Sequence, residues 1–529
     1  MDASAYPIDV ERVLGLKSVR DAPSRALFLA AIREFGKDGA EFSVERLSRL
    51  MAVEEHFQAL LLYDQLEFLR QPSAVSDEER DFALNIQRIC LEAANGFQRF
   101  LRNRTHWAKS REAVDLMFRV TGLALNAIHC FVKWSYFLNE PGKSAPWKQM
   151  HALYALGEAD GYAQVPFVLH PSQPSFKPSV QSLYLRTLIL DMLNTGNLTK
   201  IQLEVADGWF SSWCGDYSLD TIYSSRSHLF HVDLASDSGM HLMRNDSHGD
   251  SMRYVRAEGL KAQIEEVQAG LRHGKLYAGF GAGAVFPVEE HVALLAIIEK
   301  LYHSILAGSE NRIEERTHFE DREIEIVPGA DAVFTRVRAG PVKPVAAVPG
   351  AVAADTIEIS PSGLSLTPVA ASPAAAAVDP GVQTWRVFDM SSKGFGLLVD
   401  RAAAEEVLLN GLIAMRNQES GGWIVGTVVR KLSNRVRGEI LAGVEVLAFH
   451  PIRVVLEPWD SGLPLEALYL PGTDPNGKLD ALLLRVSDFS SDRTFILSAS
   501  GMRCRIRMNR IIKKGADWLK ARFEIDEAP

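Results

Sequence analysis

The sequence predicts a multidomain α + β protein: a mainly α-helical N-terminal module, then a small β-barrel, then a second small β-rich module. Three observations carry this. Apolar residues recur at steps of three or four over most of the first 308 positions, the period of a helix with one buried face. After Thr384 the pattern shortens to runs of five to eight residues separated by Gly and polar turns. Between them, residues 339–381 are dominated by Ala, Pro, Val and Gly, a composition that packs poorly and reads as a disordered insertion. The whole chain, 529 residues with 47% hydrophobic and 23% charged, is ordinary globular composition for several domains.

In the helical module, Phe82, Ile86, Ile89, Ala93, Phe97 and Phe100 share one stripe. Ser76-Asp77-Glu78-Glu79 ahead of them is a capping box, in which a hydroxyl and a carboxylate satisfy the free N–H groups of the first turn. Val114, Met117, Thr121, Leu125, Ile128 and Val132 repeat the pattern until Asn139-Glu140-Pro141-Gly142 stops it. Further helices are expected from Pro146, over Ser179 to Leu193, over Leu260 to Leu271 and over Val288 to Leu306. Near 219–255 the period changes toward two, and His228 to Leu234 predicts a strand within a small β insertion. No fixed repeat is present.

The junction 309–328 carries the first expected barrel strand, Glu323 to Val327. Residues 382–458 hold the rest of the barrel, with strands at Gly394–Val399, Gly422–Val429, Gly443–Leu447 and Ile452–Leu456. Residues 459–529 form the second β module. Within it Arg503, Arg505 and Arg507 alternate with Cys504, Ile506 and Met508, which gives a strand one basic and one apolar face.

Charge and cysteine content narrow the function. The chain carries 57 basic and 66 acidic residues, net −9, which argues against a wide duplex-binding surface and leaves room for a local anion site. The four cysteines, Cys90, Cys130, Cys214 and Cys504, are far apart and form no CxxC pair, so they are expected as buried thiols. No run of about 18 uninterrupted apolar residues and no cationic-then-apolar start is present, so a cytoplasmic protein without a membrane span is expected.

The most informative string is Asp389-Met390-Ser391-Ser392-Lys393-Gly394. Asp389 and Ser391 offer an acceptor and a hydroxyl on one tight turn, and Gly394 lets a ligand approach the backbone. Taken alone it is a good turn. Ahead of it, Arg312-Ile313-Glu314-Glu315-Arg316 places two guanidinium groups four residues apart, for which the plain alternative is a solvated, salt-bridged face.

In this order the two strings resemble the signature of the PilZ domain family, small β-barrels that bind cyclic di-GMP: an RxxxR segment and a [D/N]xSxxG turn. The resemblance covers roughly Glu310 to Pro458, less the insertion, which here separates strands one and two. It implies a six-stranded barrel with Arg312, Arg316, Asp389, Ser391 and Gly394 as ligand-binding residues, and Arg386 and Arg430 as further candidates. Guanidinium forks can hold a phosphate or a guanine O6/N7 edge bidentately. The function expected is a non-enzymatic cyclic di-GMP receptor that signals to a protein partner through the helical module. An interaction scaffold with a degenerate barrel is the alternative.

Two rival constellations are present. His228, His231, Asp233, His241 and His248 bring metal-ligand chemistry to one hairpin, though without HExxH spacing, and packed or surface histidines are the better account of them. Gly279-Phe280-Gly281-Ala282-Gly283 lacks the Lys and final Gly of a phosphate loop and reads as a connection. Neither a metal nor a cofactor is expected.

Overall fold

The computed structural model describes residues 10–37, 42–70, 76–109, 111–139, 146–193, 196–224, 227–243, 249–256, 259–275, 286–306, 317–337, 357–360, 363–366, 381–391, 393–400, 403, 407–416, 422–434, 439–471, 481–499 and 502–527. The chain divides into two compact units, Met1–Asn311 and Arg312–Pro529.

The first unit is helical. Its helices are α1 (Val10–Leu14), α2 (Ala22–Gly36), α3 (Val44–Arg70), α4 (Asp77–Arg102), α5 (Arg104–Trp107), α6 (Arg111–Phe137), α7 (Trp147–Ala159), α8 (Val180–Leu193), α9 (Lys200–Trp213), α10 (Leu260–Arg272) and α11 (Val288–Leu306). The capping box at Ser76 is present, with the Ser oxygen on the Glu79 N–H and the Glu79 carboxylate on the Ser76 N–H. Thr199 and Gln202 start α9 the same way. Helices α2 and α4 meet through paired glycines: a Cβ on Gly36 would lie 2.8 Å from the Gly96 Cα, so only glycine permits this approach. Between α9 and α10 lies a small antiparallel sheet in the order β1 (Ser218–Asp220), β4 (Met252–Arg256), β2 (His228–Asp233), β3 (His241–Leu242). Within α6, Asp115–Phe137 is long and apolar enough to cross a bilayer, yet 67% of that window is buried, as in the central helix of a packed core.

An ion network lies inside this unit. Asp207 on α9 receives Arg186 Nε at 2.6 Å and Lys133 Nζ at 2.9 Å, and His129 Nε2 stands 2.8 Å away. Lys133 also donates to Glu204 at 3.0 Å, whose other oxygen accepts from Gln65 at 3.3 Å. All six residues are buried. Burial opposes ionisation of Asp207, but Arg186, Lys133 and His129 overcome it and hold the carboxyl well below its ordinary range.

Three further groups fix a pH response. Burial pushes the Glu54 carboxyl up to about 8 and lowers the imidazoles of His129 and His170 to about 4. Between about 4 and 6.5 the unfolded histidines bind protons that the folded ones refuse, so stability rises with pH. Between about 4.5 and 8 folded Glu54 holds a proton that the unfolded chain releases, so this group lowers stability as pH rises. The two histidines outweigh Glu54 up to about 6.5; burial also lowers His151, which acts with them, and raises Asp191 and Glu290, which act with Glu54. The helical transition is therefore expected to be most stable near pH 6.5. In Glu54→Gln the decline above that pH should flatten, as followed by denaturant unfolding across the range.

The second unit contains two closed six-stranded antiparallel barrels. The first consists of β5 (Thr317–Pro328), β8 (Gln383–Ser391), β9 (Gly394–Asp400), β10 (Leu412–Arg416), β11 (Trp423–Asn434) and β12 (Glu439–Ala448), in the order β10-β11-β12-β9-β8-β5. Within residues 339–381 the structure describes the hairpin β6 (Ile357–Ser360) and β7 (Gly363–Leu366). The second barrel is β13 (Ile452–Pro458), β14 (Leu465–Leu470), β15 (Ala481–Arg485), β16 (Thr494–Ala499), β17 (Met502–Lys514) and β18 (Trp518–Glu527). One boundary differs from the sequence expectation. Strand β13 pairs with β14 and β16, so Ile452–Pro458 opens the second barrel rather than closing the first. Period-two patterning identifies a strand and is silent about its partner.

The barrels share an apolar seam. Helix α12 (Ala330–Arg336) packs Val333 and Phe334 against Leu412 and Val425 of the first barrel and Leu468, Leu483 and Trp518 of the second. Asp517 fastens it, its two oxygens accepting the N–H groups of Ala330 (2.7 Å) and Leu412 (3.0 Å). On β17 the alternation is as expected: Cys504, Ile506 and Met508 are buried, while Arg503 and Arg507 pair with Glu457 and Glu524 of their own barrel. All four cysteines are buried, and Cys90 and Cys130 lie with their sulfurs 3.0 Å apart.

Candidate functional site

The string from Asp389 to Gly394 is the hairpin between β8 and β9, closed by the pair Ser391–Gly394. Its glycine is required by packing: a Cβ on Gly394 would stand 2.3 Å from the Val444 carbonyl oxygen of β12. Ser391 is half-buried, and its Oγ accepts the Lys393 N–H at 3.3 Å.

Register places more residues beside this turn than the string itself. Asp389 pairs with Gly396 on β9, Gly396 with Gly443 on β12, and Gly443 with Arg430 on β11; on its other side Asp389 pairs with His318 of β5. Arg430, Gly443, Gly396, Asp389 and His318 thus form one row across five strands. Phe395, Leu397, Ala442 and Val444, which alternate with the two glycines, line the barrel core, so the glycines face outward. The flanking side chains lean over them. A Cβ on Gly396 would fall on Asp389 Oδ1, and one on Gly443 would lie 3.1 Å from the Arg430 Cβ. The result is a backbone floor whose Gly396 end is covered by the buried Asp389 carboxylate and whose Gly443 end lies under the aliphatic stem of Arg430.

Irregularities of the ladder border this arrangement, one of them beside His318 of β5. Register shifts fall between Val387 and Asp389 and between Val428 and Arg430. Bulges of this kind re-aim a side chain without breaking the sheet. Phe388, at the first shift, is 38% exposed and meets His318 edge-on with ring centroids 5.3 Å apart. An aromatic pair therefore borders the carboxylate end. The site offers hydrogen-bond acceptors, a cation and an aromatic edge around a glycine row that Asp389 partly covers, groups suited to a base carrying N–H donors and an adjacent anionic group.

Of the expected ligand-binding residues, Asp389, Ser391 and Gly394 come together on this hairpin, and Arg430 joins them across the floor. Arg386 lies on β8 and is engaged in an ion pair with Glu439 of β12. Arg312 and Arg316 lie outside the described residues. Gly396, Gly443, His318 and Phe388 were not singled out by the sequence reading. The signal available was glycine in strand interiors, which marks a bulge or a close approach.

The histidine constellation resolves differently. His228 accepts the Ser224 N–H at 2.8 Å and bonds Asp220 at 2.9 Å, as a packed residue of the small sheet does. His231 and His241 lie ring to ring at 5.9 Å. His248 and the segment Gly279–Gly283 are outside the described residues. Among the described residues no group of three His, Cys, Asp or Glu gathers that could hold a metal.

Comparison with known proteins adds one finding. Residues 21–223, the larger part of the helical unit, match the family described as the N-terminal domain of the cyclic-di-GMP receptor FimW. No curated protein and no solved structure matches the chain. The match falls in the N-terminal region and not on the barrels. It links the helical unit to a receptor family, whereas the sequence reading had tied cyclic di-GMP only to the C-terminal part.

Proposed function

We propose that the chain is a non-enzymatic, cytoplasmic cyclic di-GMP receptor that reads the nucleotide at the outer face of its first barrel. The observation that carries the receptor class is the match of residues 21–223 to a cyclic-di-GMP receptor family, which is not an enzyme family. The barrel assignment is supported by the glycine floor between Asp389 and Arg430 and by the hairpin that presents Ser391. Cyclic di-GMP carries two guanines and two phosphates. A guanine can lie on the floor with its N–H groups toward Asp389, while guanidinium groups take a phosphate or the O6/N7 edge. Arg312 and Arg316 are assigned to this role by their spacing ahead of β5. The helical unit then passes occupancy to a protein partner.

The test is equilibrium binding of cyclic di-GMP to the full chain and to Arg312→Ala, Arg316→Ala and Ser391→Ala. Each substitution is expected to cost on the order of 1–3 kcal/mol, about 5- to 150-fold in Kd, with thermal unfolding unchanged. If the wild-type chain binds no cyclic di-GMP, the barrel is a scaffold of the same shape. If it binds and the double arginine variant binds equally well, the arginine assignment is wrong.

A further inference from the structure

We propose that Cys90 and Cys130 are an oxidation site of the helical unit, two thiols that a peroxide converts into a disulfide joining α4 to α6. Cys90 stands in α4 and Cys130 in α6, 40 positions apart in sequence, and the Cys90 thiol donates to the Cys130 sulfur at 3.0 Å. A disulfide needs the sulfurs only about 1 Å closer. Both side chains are buried, Cys90 at 1% and Cys130 at 6% exposed. Packing as small apolar groups does not require two thiols to face one another. Cys214 and Cys504 show the contrast: they are buried too, and among the described residues neither has a sulfur within hydrogen-bond reach.

Access sets which sulfur reacts first. Cys130 lines a cavity of about 70 Å³ between α3, α6, α8 and α9, and Cys90 does not. Hydrogen peroxide, two oxygens and no larger group, enters a space that admits water. Burial and the neighbouring Cys130 hold the Cys90 thiol well above its ordinary range, which suits it to the second step rather than the first. The Cys130 sulfur attacks one peroxide oxygen and the O–O bond breaks, giving a sulfenic acid and one water. Cys90 then attacks the sulfenic sulfur; the S–S bond forms, and the hydroxyl leaves as a second water with the Cys90 proton. Two thiols and one hydrogen peroxide thus become one disulfide and two waters, the sulfurs losing the two electrons that the peroxide gains. The bond closes a loop that contains α5 and staples α6 to α4. No step involves cyclic di-GMP, so this site stands independently of the receptor reading.

The test uses the full chain, reduced, freed of reductant and treated with hydrogen peroxide. It is then unfolded in guanidinium chloride, its free thiols are counted by alkylation, and its peptides are mapped by mass spectrometry. The four thiols of the reduced chain are expected to fall to two, with Cys90 and Cys130 in one linked peptide pair that dithiothreitol separates. The oxidised chain should also show a thermal midpoint for the helical unit higher by about 5–10 °C, because the cross-link restricts the unfolded chain. In Cys90→Ala the first step has no second, so dimedone should capture a sulfenic acid at Cys130. Survival of all four thiols, oxidation spread equally over Cys214 and Cys504, or a linked chain whose midpoint does not rise would overturn the proposal and leave a packed pair of inert thiols.

Discussion

Asp207→Asn is expected to destabilise the helical unit by about 3–5 kcal/mol, because it removes the carboxylate on which two buried cations depend. Arg186 Nε and Lys133 Nζ both lie within 2.9 Å of Asp207, and both residues are buried. Glu204 can retain Lys133 but cannot reach Arg186's role, since its two oxygens are held by Gln65 and Lys133. An uncompensated buried charge costs far more than the pair itself contributes. Glu204→Gln should therefore be the milder change, because Lys133 keeps Asp207. Denaturant unfolding followed by far-ultraviolet circular dichroism measures both. A loss below about 1 kcal/mol in Asp207→Asn would mean that water reaches the network.

A second large effect is expected at the two hairpin glycines, where the same small substitution should act in opposite ways. In Gly394→Ala the new methyl meets a backbone carbonyl of β12, which cannot turn aside, so the barrel should lose about 1–3 kcal/mol of stability. In Gly396→Ala the methyl meets the carboxylate of Asp389, a side chain that can rotate. Stability should fall less, but Asp389 is displaced and the floor is covered. Cyclic di-GMP affinity is then expected to drop by about 10- to 150-fold, the worth of a charge-assisted hydrogen bond. Thermal unfolding and nucleotide titration of the two variants side by side check this. Equal loss of stability in both would contradict the outward-facing floor.

Much of the fold was legible from local pattern. The stripe from Phe82 to Phe100 and the Ser76 capping box define α4, because helix period and N-terminal hydrogen bonding are both written in nearby residues. The strands after Thr384 follow from alternation in the same way. What local pattern does not contain is partnership. Ile452–Pro458 reads equally well as the last strand of one barrel or the first of the next, and only its pairing with β14 and β16 decides. The site divides along the same line. Asp389, Ser391 and Gly394 lie within six residues and were visible together. Their opposition to Gly443 and Arg430 depends on two register shifts, which period-two alternation cannot place. The ion network is not legible from local pattern, because Lys133, Glu204 and Asp207 lie on different turns and helices and meet only in the fold. Arg186 did carry a signal: it stands in a stretch, Val180–Leu193, that is apolar on nearly every side, and such a helix is buried all round.

The central claim, that cyclic di-GMP is read at the first barrel, is tested most directly by amide hydrogen exchange on the full chain with and without the nucleotide. Slower exchange is expected over residues 317–327, 389–397 and 443–446, and it should vanish in an Asp389→Ala/Ser391→Ala double variant. Any change within residues 21–223 should vanish with it, because it is passed on from the barrel. Protection confined to residues 21–223 and untouched by the double variant would contradict the account and move the nucleotide site into the helical unit.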